Sequence, residues 1–277
     1  MPPDQNLESS TSTRTKNRAI ATDSADIPPP TPRTLHLVMQ GKGGIGKTLI
    51  SMFLAHYLLE QGQPLALVDT DPVNASFSSL APVPVAHVNL YRGKHRIDTL
   101  ALDTLIERIA TEDADFVVDN GAASFLPFSE YLIENEALGA LLQAGRQVVV
   151  HAIVVGGSAW LDTAKALESI ILSYPPSVRL VVWLNEHVGP VVTDAGRPFE
   201  ESALYKDHKR RIHGLVRLPL FDDEKGSILQ EMFSKKLTFE QAINPDGTGP
   251  QMFIMKRQRL FKIKNEMFPQ IELVLRP

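Results

Sequence analysis

Gly41-Lys42-Gly43-Gly44-Ile45-Gly46-Lys47-Thr48 is the stretch on which the reading of this 277-residue chain turns. An apolar run over 35–39 leads into it. An apolar-periodic stretch over 48–61 leaves it and stops at Gly62 and Pro64. A strand, a glycine-rich turn and a helix in that order, with G-x-x-x-x-G-K-[ST] spacing, form a phosphate cradle. Glycines let the main chain take conformations closed to other residues. Successive N–H groups then point inward as an anion nest, and the helix N-terminus adds partial positive charge. In that frame Lys47 neutralises the outer phosphates and the Thr48 hydroxyl ligates Mg²⁺. The spacing implies a bound nucleoside triphosphate held by 41–48.

Moving outward, the pattern repeats as short apolar runs and longer amphipathic ones. Strands are expected over 65–68, 87–91 (weakly), 116–118, 148–155, 178–184 and 212–216, and helices over 99–109, 131–142 and 159–172. Val/Ile/Leu runs alternating with helices point to one α/β domain, with a mostly parallel twisted sheet covered on both faces. Two of these strands end in acids. Val68-Asp69-Thr70-Asp71-Pro72 places carboxylates at the ligand edge of the sheet. Asp115-Phe116-Val117-Val118-Asp119 has the form of a Walker B strand, with Asp119 expected to hold Mg²⁺ through water.

Residues 1–32 are rich in Ser, Thr, Pro and Asp, offer little to bury, and are expected to be a disordered tail ahead of a domain over 33–277. The chain has no cysteine, which excludes disulfides, Cys-ligated zinc and Cys-ligated iron–sulfur clusters. The net charge of −4 gives no global field for nucleic acid. No apolar run is long enough for a membrane span and no signal-peptide core stands at the N-terminus, so a cytoplasmic location is expected.

Lys42 is not required by an ordinary phosphate loop. With it the loop resembles the deviant Walker A motif, K-G-G-x-G-K-[ST], of the ParA/MinD ATPases. The resemblance implies ATP with Mg²⁺, and a homodimer in which Lys42 reaches across to the partner's phosphates, by the logic of an arginine finger in trans. It also implies that Asp71 orients or deprotonates the attacking water, that Asp69 supports the Mg²⁺ shell, that Asn185 meets the adenine, and that Pro219 borders the base. ATP over GTP rests on the resemblance; no N-K-x-D guanine motif occurs. Further stretches resemble the TraL conjugal-transfer branch: 39–44, 69–75, 119–125, 154–157, 182–185 and 237–242. That likeness spans 34–268 and implies a role in plasmid transfer or maintenance, with conjugation or relaxosome proteins as partners. The chain departs from the segregation ATPases at Val73-Asn74 after Pro72 and at Asn120-Gly121-Ala122-Ala123-Ser124 after Asp119, so the coupling of the switch segments is expected to differ.

Other constellations carry less. His208 and His213, five apart, fall on different helix faces, and a His metal site is not expected. Asp222-Asp223-Glu224 reads as a helix start rather than a cation site. Lys256, Arg257, Arg259, Lys262 and Lys264 interleave with Phe253, Leu260, Phe261, Met267 and Phe268 as a basic amphipathic helix. Docking on the sheet is its simplest use; contact with DNA or, less so, a membrane surface are the alternatives. Besides a dimer switch, the sequence leaves open a metabolic ATP-dependent enzyme of the dethiobiotin-synthase kind, or an ATP-gated DNA-binding module with negligible hydrolysis.

Overall fold

The computed structural model describes residues 32–71, 76–93, 96–246 and 251–276. Residues 1–31 of the expected tail, the 72–75 part of the acidic switch and the 247–250 link lie outside the described residues.

Seven strands form one fully parallel sheet: β1 (Thr34–Met39), β2 (Leu65–Asp69), β3 (Val85–His87), β6 (Asp115–Asp119), β7 (Gln147–Val155), β8 (Arg179–Asn185) and β9 (Ile212–Leu218). Their spatial order is β3-β2-β6-β1-β7-β8-β9. A separate antiparallel ribbon pairs β4 (Tyr91–Arg92) with β5 (Arg96–Ile97). From β1 the chain first moves towards β2 and β3; after β6 it moves the other way, through β7 to β9. The connections therefore diverge beside the C-terminal end of β1, where open α/β sheets bind ligands.

Both sheet faces are covered, which is why β6, β7 and β8 are buried and largely apolar along their length. On one face α1 (Lys47–Glu60), α8 (Asp223–Ser234), α9 (Phe239–Ile243) and α10 (Ile254–Leu275) close over Val38, Phe53, Trp183, Met232 and Phe239. On the other, α3 (Thr99–Thr111), α4 (Phe125–Glu134), α5 (Ala137–Gln143) and α6 (Trp160–Ser173) close over Leu37, Phe116, Phe128, Leu138 and Leu167. Two short helices, α2 (Ser76–Leu80) and α7 (Ala203–His208), complete the set.

Two expectations need correction. The helix expected over 131–142 is two helices, broken where Glu136 takes φ 49°, a turn that apolar periodicity cannot reveal. The strand expected over 87–91 is instead β3 ending at His87, followed by the β4–β5 ribbon. Much of the basic face of α10 is paired with its neighbours. Lys264 pairs with Glu60 of α1 at 2.6 Å, Arg259 with Glu224 at 2.8 Å and Lys256 with Glu231, while Arg257 Nε donates to Ile243 O at 2.8 Å. These cations fasten the helix to its neighbours.

Candidate nucleotide-binding site

The glycine loop leaves β1 at the point where the connections diverge. Its shape depends on two left-handed residues, Gly44 at φ 70° and Gly46 at φ 87°, a region that costs any side chain dearly. Gly46 ends the loop as the N-cap of α1, and no side chain caps that helix. By contrast, Asp98, Ser202, Asp222 and Thr238 cap α3, α7, α8 and α9. Asp222 accepting from Lys225 N at 2.8 Å also explains the acidic run there as a cap. With no side-chain cap, the first N–H groups of α1 suit an incoming anion.

Two buried amides hold the loop in place. Gln40 accepts from Gly41 N and donates to Ile153 O of β7, each at 2.8 Å. Asn185, at the end of β8, donates from Nδ2 to Ile45 O at 2.8 Å and accepts from His187 N at 3.0 Å. A Cβ on Gly46 would fall 2.9 Å from Asn185 Nδ2, so glycine there serves this close approach as well as the backbone angle. The resemblance gave Asn185 to the adenine; here its amide braces the loop through Ile45 O and His187 N. Pro219 lies half-buried just beyond β9.

Lys47 is buried, and its ammonium donates to Lys42 O at 2.6 Å across the loop. Burial lowers its pKa, while the charges of Asp119 and Asp71 pull it back up. Thr48 Oγ1 donates to Asp119 Oδ2 at 2.7 Å, and Ser51 Oγ donates to Asp119 Oδ1 at 2.9 Å. Thr48 and Ser51 are three apart on α1 and so share the face towards β6. Burial pushes the Asp119 carboxyl up to about 6, against the opposing effect of its two hydroxyl partners.

A family model described as the CobQ/CobB/MinD/ParA nucleotide binding domain matches residues 36–221. The chain belongs to the CobQ/CobB/MinD/ParA nucleotide-binding family. Two curated relatives, each named Protein TraL and from Escherichia coli, are 37% identical to it over 239 residues, 86% of this chain and 97% of theirs. Among solved structures, a ParA family ATPase from Chlorobium tepidum TLS aligns with 88% of this chain and 96% of its own at 12% identity and TM-score 0.49. The septum site-determining protein MinD from Pyrococcus horikoshii OT3, complexed with Mg-ADP, aligns with 85% and 97% at 18% identity and TM-score 0.44.

Within this family member, the two remaining acids lie on the β2 side of the loop. Asp69 is buried; its Oδ1 accepts from Asp71 N at 3.0 Å, and its Oδ2 faces Ser78 N and Oγ at 3.4 Å. It thus ties Asp71 to the start of α2. Asp71 is half-buried and packs on Gly121, where a Cβ would come within 2.8 Å of its Cα and Cγ. Lys42 stands on the outer face, its ammonium 2.8 Å from Asp162 Oδ2 in the first turn of α6, with both side chains about half exposed (45% and 59%).

The donor set suits Mg²⁺ carried by a nucleotide. Thr48 and Asp119 present hard oxygens side by side, and among the described residues no group of three His, Cys, Asp or Glu forms a cage of its own. Two of the histidines are used elsewhere: His151 Nδ1 accepts from Trp183 Nε1 at 3.0 Å and its Nε2 meets His36 Nδ1 at 3.1 Å, all buried in the sheet. Among the described residues, no helix is long and apolar enough to cross a membrane. Sequence reasoning missed Ser51, Gln40 and Asp162. The i, i+3 spacing from Thr48 could have found Ser51; nothing local marks Asp162, 120 positions from Lys42.

Proposed function

We propose that the chain is an Mg²⁺-dependent ATPase that switches between monomer and dimer, serving plasmid transfer or maintenance. The observation that carries this reading is the alignment of Lys47, Thr48 and Asp119 at the mouth of an uncapped helix, with a second lysine, Lys42, on the loop's outer face. Phosphate oxygens replace Lys42 O as the acceptor for Lys47. Mg²⁺, when bound, offsets charge on the terminal phosphates; Thr48 and Asp119 are the residues that hold it, Asp119 through water. Asp69 keeps Asp71 in place beside them. Water oxygen attacks the γ-phosphorus, the bond to the bridging oxygen of ADP breaks, and Asp71 orients the water and receives its proton. Lys42 leaves Asp162 and stabilises the partner's transferring phosphoryl group, so hydrolysis requires association. The plasmid context rests on the resemblance to the TraL branch.

Light scattering with ATP, ADP and no nucleotide tests the switch. Association in ATP alone, lost in Lys42→Ala and prolonged in Asp71→Ala, is expected. An oligomeric state indifferent to nucleotide and to Lys42 would point to a metabolic enzyme, and normal hydrolysis by Asp71→Ala removes that residue from its role.

A further inference from the structure

The segment after Asp119 contains a side chain that the reaction above does not use. Asn120 is fully buried, and its Oδ1 accepts from two hydroxyls, Thr70 Oγ1 and Ser124 Oγ, each at 2.9 Å. These hydroxyls belong to different segments. Thr70 lies between Asp69 and Asp71; Ser124 directly precedes α4. Thr70 N also donates to Asp119 O at 3.0 Å. Next to Ser124, the Phe125 ring lies on the glycine loop, where a Cβ on Gly41 would fall 2.9 Å from its Cδ1. One carboxamide therefore links the residues around Asp71 to those after Asp119, and through Phe125 to the loop itself.

The other end of that amide is different. Nδ2 carries two N–H groups, is buried, and has no partner among the described residues. Turning the amide over would leave its oxygen unpartnered instead. The hydroxyls' other acceptors are farther, at 3.3 Å from Thr70 Oγ1 and at 3.1 and 3.2 Å from Ser124 Oγ, which favours donation to Oδ1. Buried donors are nearly always satisfied, and an exception in the segment between Asp119 and the Phe125 ring that packs on Gly41 calls for a ligand oxygen.

We propose that Asn120 reads the terminal phosphoryl group: its N–H groups donate to a γ-phosphoryl oxygen, while its own oxygen holds Thr70 and Ser124, so that the Asp71 segment and the segment after Asp119 register the same event. This rests on the ATP reading above. It assigns the nucleotide's γ-phosphoryl group a donor at one of the positions where the sequence departs from the segregation ATPases.

The test compares affinity for ADP with that for the non-hydrolysable β,γ-imido analogue of ATP, both with Mg²⁺, in full-length protein. Asn120→Ala removes the donor without adding charge. Asn120→Asp removes it but keeps two acceptors for the hydroxyls, and serves if the alanine variant does not fold. Thr70→Val with Ser124→Ala cuts the link but leaves the donor. The Asn120 variants are expected to weaken the analogue by about tenfold relative to ADP, as loss of a hydrogen bond to a charged group does. The double variant is expected to leave the ratio as in wild type. A wild-type ratio in both Asn120 variants, or the same shift in the double variant, overturns the proposal while the ATP reading stands. Wild-type protein that binds neither nucleotide, or a Lys47→Ala variant that binds both as wild type does, removes the ATP reading and this proposal with it.

Discussion

The start of α1 and the length of α10 are both rich in positive charge, and the structure uses that charge in opposite ways. Around α1, Lys47 rests on a main-chain carbonyl, Lys42 on one exposed carboxylate, and the helix N-terminus on no side chain. Along α10, Lys256, Arg259 and Lys264 each hold a carboxylate of a neighbouring helix, and Arg257 holds a carbonyl. Cations with weak or replaceable partners are available to a ligand; cations paired across an interface are structural. A lysine count cannot separate the two, and the partner can.

Lys47→Ala should give the largest effect. It removes the cation that burial already disfavours, so the nucleotide-free fold should hold its stability. Nucleotide affinity should fall by about a hundredfold or more, the ~3 kcal/mol upper range for a charge-assisted hydrogen bond. Titration of a fluorescent ATP analogue checks it, and an unchanged affinity would erase the contrast between the two helices.

Asp119→Asn should sharpen it next. In the folded state the Asp119 carboxyl is pushed up to about 6, from an ordinary value of 3.8, chiefly by burial. The fold therefore binds the proton more tightly than the unfolded chain does. That stabilisation is complete below about pH 4 and is lost as pH rises through 6, a cost of about 3 kcal/mol at neutral pH. Asparagine carries no charge to desolvate. Asp119→Asn should thus unfold at higher denaturant than wild type at pH 8, with the gap closing towards pH 4, while Mg²⁺-dependent nucleotide binding is lost. Denaturant melts at the two pH values decide it; a gap that widens on acidification would reverse the sign.

The two regions were also unequally legible. The loop, the strands on either side of it and Asp119 are local patterns: a fixed spacing, an apolar run, an acid at its end. These are visible without a fold because the chemistry demands neighbours in sequence. Covered on both faces, β7 and β8 read as largely apolar runs, which are equally local. The partners were not legible. Asp162 reaches Lys42 from 120 residues away, Asn185 reaches Ile45 from 140, and Glu60 reaches Lys264 from the far end of the domain. Amphipathic periodicity put α10 on the surface of the core but could not say which acids wait beneath its polar face. The break at Glu136 escaped for a different reason, since no glycine marks that left-handed turn.

Asp162→Ala should have an intermediate effect. The Lys42–Asp162 pair is exposed on both sides and screened by salt, so it restrains Lys42 only lightly. Removing the carboxylate should raise ATP-dependent association by a few fold, most at low ionic strength, and leave monomer stability alone. Sedimentation at two salt concentrations measures this. Weaker association in the variant would mean that Asp162 belongs to the dimer contact and is no restraint on Lys42.

The smallest effect separates two neighbours on α10. Lys264 is four-fifths buried between Glu60 at 2.6 Å and the Phe268 ring at 5.4 Å, whereas Lys262 is exposed and has no ion pair among the described residues. Lys264→Gln should cost about 1 kcal/mol, the top of the range for a partly screened pair. Lys262→Gln should cost nothing measurable, and both should bind nucleotide as wild type does. If α10 were an open cationic surface, the opposite would hold: Lys262, the more accessible ammonium, would dominate the salt dependence of retention on a polyanion column, and Lys264 would contribute little to the fold. Denaturant melts and that column therefore read the same two variants from both sides, and a Lys264→Gln variant as stable as wild type would break the distinction between bound and available charge on which the comparison is built.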